Sequence, residues 1–330
     1  MDQNHKYNLS NFIRNVTQKN EIKNLLVAIS GGQDSVLLMK LINEIYTEHE
    51  KKILKISYIY VDHQWKNNSY NQIKHLINYT KSLKQKIAIY QIQKATISEN
   101  KCREQRYNII QKHAIKYGFE VILTGHNASD KTETFFNNIN RGCGIEGMTS
   151  TTITNQINGK ILIIKPLINI FKKEIYWLCK KLYLPIWSDN TNYVNEVTRN
   201  RIRHELIPYM ENFMNNKIEK NILSLLKNYY YENEYIKQSI SKMYLKIKHK
   251  EKIAINYNIL KKQHLILQIK TIQLFCMHNF NTYFENKDIA KIIGNLNNKI
   301  YRSNNLIIKK KNFIYKVNNK WIYIQIKQLY

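Results

Sequence analysis

Apolar residues run unbroken from Leu25 to Ile29, a polar turn with two glycines follows, and from Ser35 through Ile45 apolar positions recur at helical spacing. An apolar run this short suits a buried strand, so the segment predicts a strand, a loop and a helix in succession. Further strands are expected at Ile53 to Val61, Ile87 to Gln91, Val121 to Thr124 and Ile161 to Ile164, with helices between them such as Cys102 to Tyr117 and Asp130 to Asn140. Strands alternating with helices predict an α/β fold with a doubly wound parallel sheet, and ligands at the loops that follow the strands. Seven of the nine glycines lie between Gly31 and Gly147, which concentrates backbone freedom in those loops. After Pro208 the pattern changes. Ile222, Leu225, Leu226 and Tyr229 carry a helical stripe, and strand-like segments return at Leu306 to Ile308, Phe313 to Val317 and Trp321 to Ile326. The expectation is an α/β domain over residues 1–208 and a smaller, mainly helical, basic domain over residues 209–330.

Composition changes this picture mainly through charge. Lysine and arginine total 52 against 24 acidic residues, a net charge of +28, of which +12 falls in the first 190 residues and +16 in the remaining 140. Such an excess points to a polyanionic partner, nucleic acid first. An A+T-rich coding sequence, which favours Lys, Asn, Ile and Tyr, is a second source of the same bias. Cys102, Cys143, Cys179 and Cys276 have no paired spacing. That argues against a disulfide framework, a zinc ribbon and an iron–sulfur site, and for reduced thiols. No stretch reaches the roughly 18 to 20 apolar residues needed to span a bilayer, and Met1 to Asn11 carries no apolar signal core. A protein outside the membrane, working where it is made, is expected.

Candidate chemistry begins at Ser30-Gly31-Gly32-Gln33-Asp34-Ser35, between the first strand and the first helix. Amides opening a helix converge on an anion, and the helix dipole adds about half a positive charge there. Glycines at 31 and 32 let phosphate oxygens approach the backbone, and the Ser30 and Ser35 hydroxyls add donors. Asp34 beside phosphate makes sense if it holds Mg²⁺ that bridges to the phosphates. The plainer alternative is a turn with Ser35 as N-cap. The lysine of a Walker loop is missing. Arg103 and Arg106 stand three apart, on one helical face, where they can clamp phosphate or pair with Glu99 and Glu104. Asp130 and Glu133 are also three apart, in a first helical turn, where they can share a site or complement the dipole. Arg199, Arg201 and Arg203 alternate in one short element, as phosphate donors or as partners of acidic neighbours. Asp62, ending the second strand, can face a nucleotide or cap a turn.

The hexapeptide SGGQDS resembles the pyrophosphate loop, S-G-G-x-D-S, of the N-type ATP pyrophosphatases. Further segments resemble, in order, motifs of one branch, the tRNA(Ile)-lysidine synthase family. They are Val61-Asp62-His63, Cys102 to Tyr107 with Cys102 for alanine, Thr124 to Thr134 with Lys131 for glutamine, Asn138 to Met148, Ser188 to Asn192, and Arg199 to Pro208. The resemblance spans about residues 24 to 208. It implies a Rossmann-like ATP-pyrophosphatase fold, with ATP and Mg²⁺ as cofactors. It implies a ligation in which the wobble cytidine of the CAU-anticodon isoleucine tRNA is adenylated and free L-lysine then displaces AMP. Ser30, Gly31, Gly32, Gln33, Asp34, Ser35, Arg106 and His126 would hold ATP. Asp34, Arg103, Asp130 and Glu133 would act in catalysis, the last two receiving lysine. Arg141, Arg199, Asn200, Arg201 and Arg203 would contact tRNA or phosphate. A tRNA-thiolating enzyme of the same superfamily and an inactive RNA-binding protein are the alternatives. The composition and the SGGQDS and VDHQW variants look like an algal plastid-encoded copy, with a bacterium of reduced genome as the other origin. The oligomeric state stays open, a homodimer included.

Overall fold

The structure, a computed structural model, describes residues 23–48, 55–64, 69–92, 99–149, 154–157, 161–187, 198–297, 306–310, 313–318 and 320–326. The Ser188 to Asn192 segment lies outside these residues. Two compact units divide the chain, Met1–Lys227 and Asn228–Tyr330.

The first unit is built on a six-stranded sheet. Its strands are β1 (Asn24–Ile29), β2 (Lys55–Asp62), β3 (Lys86–Gln91), β4 (Val121–Thr124), β5 (Thr154–Ile157) and β6 (Ile161–Ile164), in the order β3-β2-β1-β4-β6-β5. All pairings are parallel except that of β5 with β6. Residues alternate between faces along a strand, and the two faces of β1 feed two cores. Leu25, Val27 and Ile29 join a cluster with Leu37, Leu38 and Ile42 of α1 (Gln33–Glu48), Leu76 of α2 (Ser69–Ser82), and Ile175 and Cys179 of α6 (Lys172–Lys181). Leu26 joins the other cluster, with Ile59, Ile122, Ile163, and Ile110 and Ala114 of α3 (Glu99–Lys116). Burial on both faces explains why these strands read as unbroken apolar runs. Each fully buried leucine or isoleucine contributes about 1.5–3 kcal/mol.

The chain leaves β1 toward β2 on one side, and β4 pairs on the other. This reversal makes a topological switch point, and the crevice beyond the carboxyl ends of β1 and β4 is where such sheets take ligands. After β4 come α4 (Ala128–Asn140) and the short α5 (Ile145–Met148), and after α6 come α7 (Thr198–Arg201), a π-helical turn (Ile202–Leu206) and α8 (Ile207–Phe213).

The helix α9 (Ile218–Ile247) runs across the division between the two compact units. The second unit adds β7 (Ala254–Asn256), α10 (Tyr257–Leu260), α11 (Leu265–Phe280), α12 (Asn286–Asn297), β8 (Leu306–Lys310), β9 (Phe313–Asn318) and β10 (Trp321–Ile326). Its sheet is antiparallel in the order β7-β10-β9-β8. A separate core forms from Ile247, Ile255, Ile272, Phe275, Phe284, Ile292 and Ile322. Among the described residues, no helix is long and apolar enough to cross a membrane.

Candidate active site

The turn after β1 is tied down through its carbonyls. Gln72, from α2, donates from Nε2 to the Ser30 carbonyl; the Trp187 amide donates to the Gly31 carbonyl at 3.0 Å; the Ser35 hydroxyl and Val36 amide donate to the Gly32 carbonyl at 2.9 and 3.0 Å. With these oxygens engaged, the turn is fixed at the start of α1, whose first amides have no partner within the helix. Gly31 takes φ +83°, a left-handed conformation that glycine adopts without strain. Ser35 lies inside the helix, not at its cap, because α1 begins at Gln33.

Gly125, just beyond β4, lets that strand end approach the same turn. A Cβ there would stand 3.3 Å from both the Asp34 carbonyl carbon and the Ser35 nitrogen. Gly125→Ala must therefore push the turn between β1 and α1. We expect about tenfold weaker ATP binding with about 1 kcal/mol of lost stability, to be read by calorimetric titration beside a thermal melt.

Between these ends lies a cavity of about 360 Å³, lined by Ser30, Asp34, Ser35, Arg103, Arg106, His126, Asp130, Arg199, Asn200 and Arg203 among others, with Ala28, Ile29, Ile59, Val61 and Ile110 as its apolar wall. Four guanidiniums face two carboxylates here, so the cavity favours an anion. Ten of the expected site residues therefore meet in one place. Gln33 and Glu133 line a second hollow instead, of about 340 Å³, which shares Arg203 with the first. Arg141 caps the end of α4 and is exposed. Arg201 is exposed and pairs with Glu205, because in a helical segment it points away from Arg199 and Arg203.

Asp34 carries the most perturbed carboxyl. Burial, then the nearby Asp130 charge, pushes its pKa up to about 6, and its Oδ1 is buried with no hydrogen-bond partner. Lys172, a hydrogen bond with the Asn127 side chain and Arg203 act in the opposite direction. Asp62 accepts from the Gln64 amide at 2.9 Å through Oδ1, and its Oδ2 is buried with no hydrogen-bond partner.

His126 is fixed in one tautomer. Arg103 Nη2 lies 2.9 Å from its Nε2, and a guanidinium can only donate, so Nε2 accepts. The proton is then on Nδ1 and goes to the Thr124 hydroxyl at 2.9 Å. Burial and then Arg103 hold the imidazole pKa well below its ordinary value, which keeps the ring neutral. Its effect is to hold Arg103 toward the cavity.

Asp130 and Glu133 are both engaged. Asp130 forms a reciprocal capping box with Asn127 at the start of α4, each side chain accepting from the other's amide at 3.0 Å. Its Oδ1 also accepts from Arg199 Nη2 at 2.8 Å. Glu133, only 1% exposed, accepts from Arg199 Nε at 2.7 Å and from both Nη2 and Nε of Arg203. The carboxylates expected to take lysine thus already hold two of the arginines expected to take phosphate. Two lysines without a motif join them. Lys165, directly after β6, and Lys172, opening α6, have ammonium pKa values lowered by burial, then by Arg103 and Arg203 respectively, with Asp130 opposing in both cases.

Residues 1–210 match the model of the PP-loop domain. The chain is 43% identical over 309 residues to the chloroplastic tRNA(Ile)-lysidine synthase of Gracilaria tenuistipitata var. liui, covering 93% of this chain and 95% of the relative. It is 30% identical over 319 residues to the chloroplastic tRNA(Ile)-lysidine synthase of Pyropia yezoensis, covering 96% and 95%. Among solved structures, the U34-tRNA thiolase NcsA of Methanococcus maripaludis superposes with a TM-score of 0.53 at 18% identity, over 68% of this chain and 79% of that one, a likeness of fold alone. With the glycine turn at the switch point of a parallel sheet and relatives matched over nearly their whole length, the chain belongs to the tRNA(Ile)-lysidine synthase family of PP-loop proteins.

Proposed function

We propose that this chain joins free L-lysine to C2 of the wobble cytidine in the CAU-anticodon isoleucine tRNA, using ATP, in a plastid. The cationic cavity at the amino end of α1, with the orphaned Asp34 oxygen inside it, carries this reading. In the first step the cytidine C2 oxygen attacks the α-phosphorus of ATP, and the α–β bridging oxygen leaves with pyrophosphate. In the second, the lysine ε-amine forms a bond to C2, and the C2–oxygen bond breaks with its electron pair going to AMP.

The amides from Gly31 to Ser35 would bind the pyrophosphate, with Arg103 and Arg106 stabilising charge as the α–β bond breaks. The apolar wall of Ile29, Ile59 and Val61 fits a nucleobase face. Asp34 suits Mg²⁺: one carboxylate plus phosphate oxygens is how that ion is commonly held, and a cation would relieve the buried charge. When bound, Mg²⁺ neutralises charge on the phosphates. Asp130, its side chain 16% exposed, is the better placed carboxylate for the lysine ammonium. That group, with an ordinary pKa near 10.4, must lose a proton before it attacks, and Asp130 can take it directly or through water. Glu133 instead anchors Arg199 and Arg203. The chloroplastic relatives support a plastid location.

Mass spectrometry of isoleucine tRNA after incubation with ATP and lysine tests the proposal. A gain of one lysine less one water on the anticodon cytidine is expected. Replacement of oxygen by sulfur, or unmodified tRNA from a protein that binds both substrates, would overturn it.

A further inference from the structure

We propose that the outward face of α6 and its carboxyl-terminal cap is a docking surface for RNA, stacking unpaired bases of the substrate on Tyr176, Trp177 and Tyr183. This rests on the reading above that the substrate is RNA. Helical geometry separates α6 into two faces. Ile175 and Cys179 are buried, and Leu178 and Leu182 pack on the same core. Opposite them, Tyr176 and Trp177 are half-exposed and Tyr183 is 93% exposed. Each ring of the helix has a cation one turn on: Lys180 Nζ lies 5.5 Å from the Tyr176 ring and Lys181 Nζ 4.9 Å from the Trp177 ring. An exposed aromatic face with ammonium groups beside it offers what a single-stranded nucleic acid needs, a stacking platform for bases and charge for the backbone.

The cap of the helix presents the third ring. The Leu184 amide bonds the Cys179 carbonyl at 3.0 Å and the Tyr183 amide bonds that of Lys180 at 3.1 Å, which together form a Schellman motif. The residue closing such a motif sits in the left-handed region, and glycine is the usual choice. Here it is Tyr183, at φ +48°. The fold bears the strain of a side chain there and gains no packing from the ring, which stands in water. Charge decides which partner. Beside the rings stand Lys180 and Lys181, while Lys172 turns toward the catalytic cluster, Lys173 pairs with Glu211, and the one acid of the helix, Glu174, accepts from the Phe171 amide. A second copy offering the same face would meet like charge, whereas RNA meets opposite charge.

The test uses the full chain, an isoleucine tRNA transcript, and binding measured across a salt series. Trp177→Ala should weaken RNA binding about tenfold, within the range for one lost base stack. Lys180→Ala with Lys181→Ala should lower the slope of log affinity against log salt by about 1.4, as for two single-strand phosphate contacts. Tyr183→Gly separates function from folding, since it should cost RNA affinity several-fold while leaving the melting temperature unchanged or higher. ATP binding should stay as in the parent protein throughout. If the parent protein modifies tRNA and all these variants bind it equally well, the surface proposal fails alone. If the variants instead change the sedimentation coefficient with RNA affinity intact, the face is a contact between copies and the proposal is wrong. A parent protein that binds ATP but no RNA would overturn the functional reading itself.

Discussion

Replacing Asp34 with asparagine is expected to slow adenylation of the tRNA by two to three orders of magnitude (about 10² to 10³) while making the folded protein harder to unfold at neutral pH. The two effects have one origin. The Asp34 carboxyl is pushed from its ordinary 3.8 up to about 6, by burial first and by Asp130 second, and one of its oxygens has no hydrogen-bond partner. A carboxyl whose folded pKa lies above its unfolded value costs stability when ionised. The cost is absent below the unfolded value, grows as pH rises between the two, and is fully present above about 6. A rise of about two units corresponds to about 3 kcal/mol, and partial exposure to solvent reduces this to about 1–2 kcal/mol. The asparagine variant should therefore unfold at higher denaturant than the parent at pH 7.5, and at the same denaturant near pH 4. Its adenylation rate should fall by about 10² to 10³, the usual effect of losing one group that stabilises transition-state charge. An active variant with unaltered stability at pH 7.5 would take Asp34 out of this role.

Much of the first unit was readable because its inner strands β1, β2, β4 and β6 are largely buried and its loops fall at the sheet's carboxyl edge. The order strand, glycine turn, helix at Leu25 to Ile45 needed only short-range periodicity. Thr154–Ile157 was not readable. Thr-Asn-Gln-Ile has no apolar run, since β5 is an edge strand whose place is set by pairing with β6. The arginines at 199, 201 and 203 show a different limit. Read as alternating positions they form one cluster, but the segment is helical, so only the two that are four apart face Glu133. Gln72 and Trp187 belong to no motif, although they hold the phosphate turn from behind. Only the fold brings residues so distant in sequence to one turn. Lys165 had a readable sign, its place directly after an apolar strand, but no spacing to single it out.

Glu133→Gln should be the more damaging change to the fold, and it separates two roles that the pattern D-x-x-E gave equally to both acids. Glu133 is 1% exposed and holds Arg199 and Arg203, which are 22% and 20% exposed. Without its charge, both guanidiniums must share Asp130, from which Arg199 stands 2.8 Å and Arg203 3.6 Å. Removing one partner of a buried pair costs about 3–5 kcal/mol, and the partial exposure of the arginines brings this to about 2–3 kcal/mol. Asp130→Asn is different, because an amide oxygen can still accept from the Asn127 amide and keep the helix cap. It should cost about 1 kcal/mol. In kinetics the order reverses for lysine. Asp130→Asn should raise the lysine KM about tenfold or more, as for loss of one charged contact to the substrate, and weaken ATP binding less than Glu133→Gln does, since Arg199 and Arg203 keep Glu133. Glu133→Gln should weaken ATP and tRNA binding together, as two loosened arginines would. A Glu133→Gln protein that melts like the parent and is defective only in its lysine KM would show that Glu133 itself receives the amino acid, and that its pairing with the arginines gives way when substrate binds.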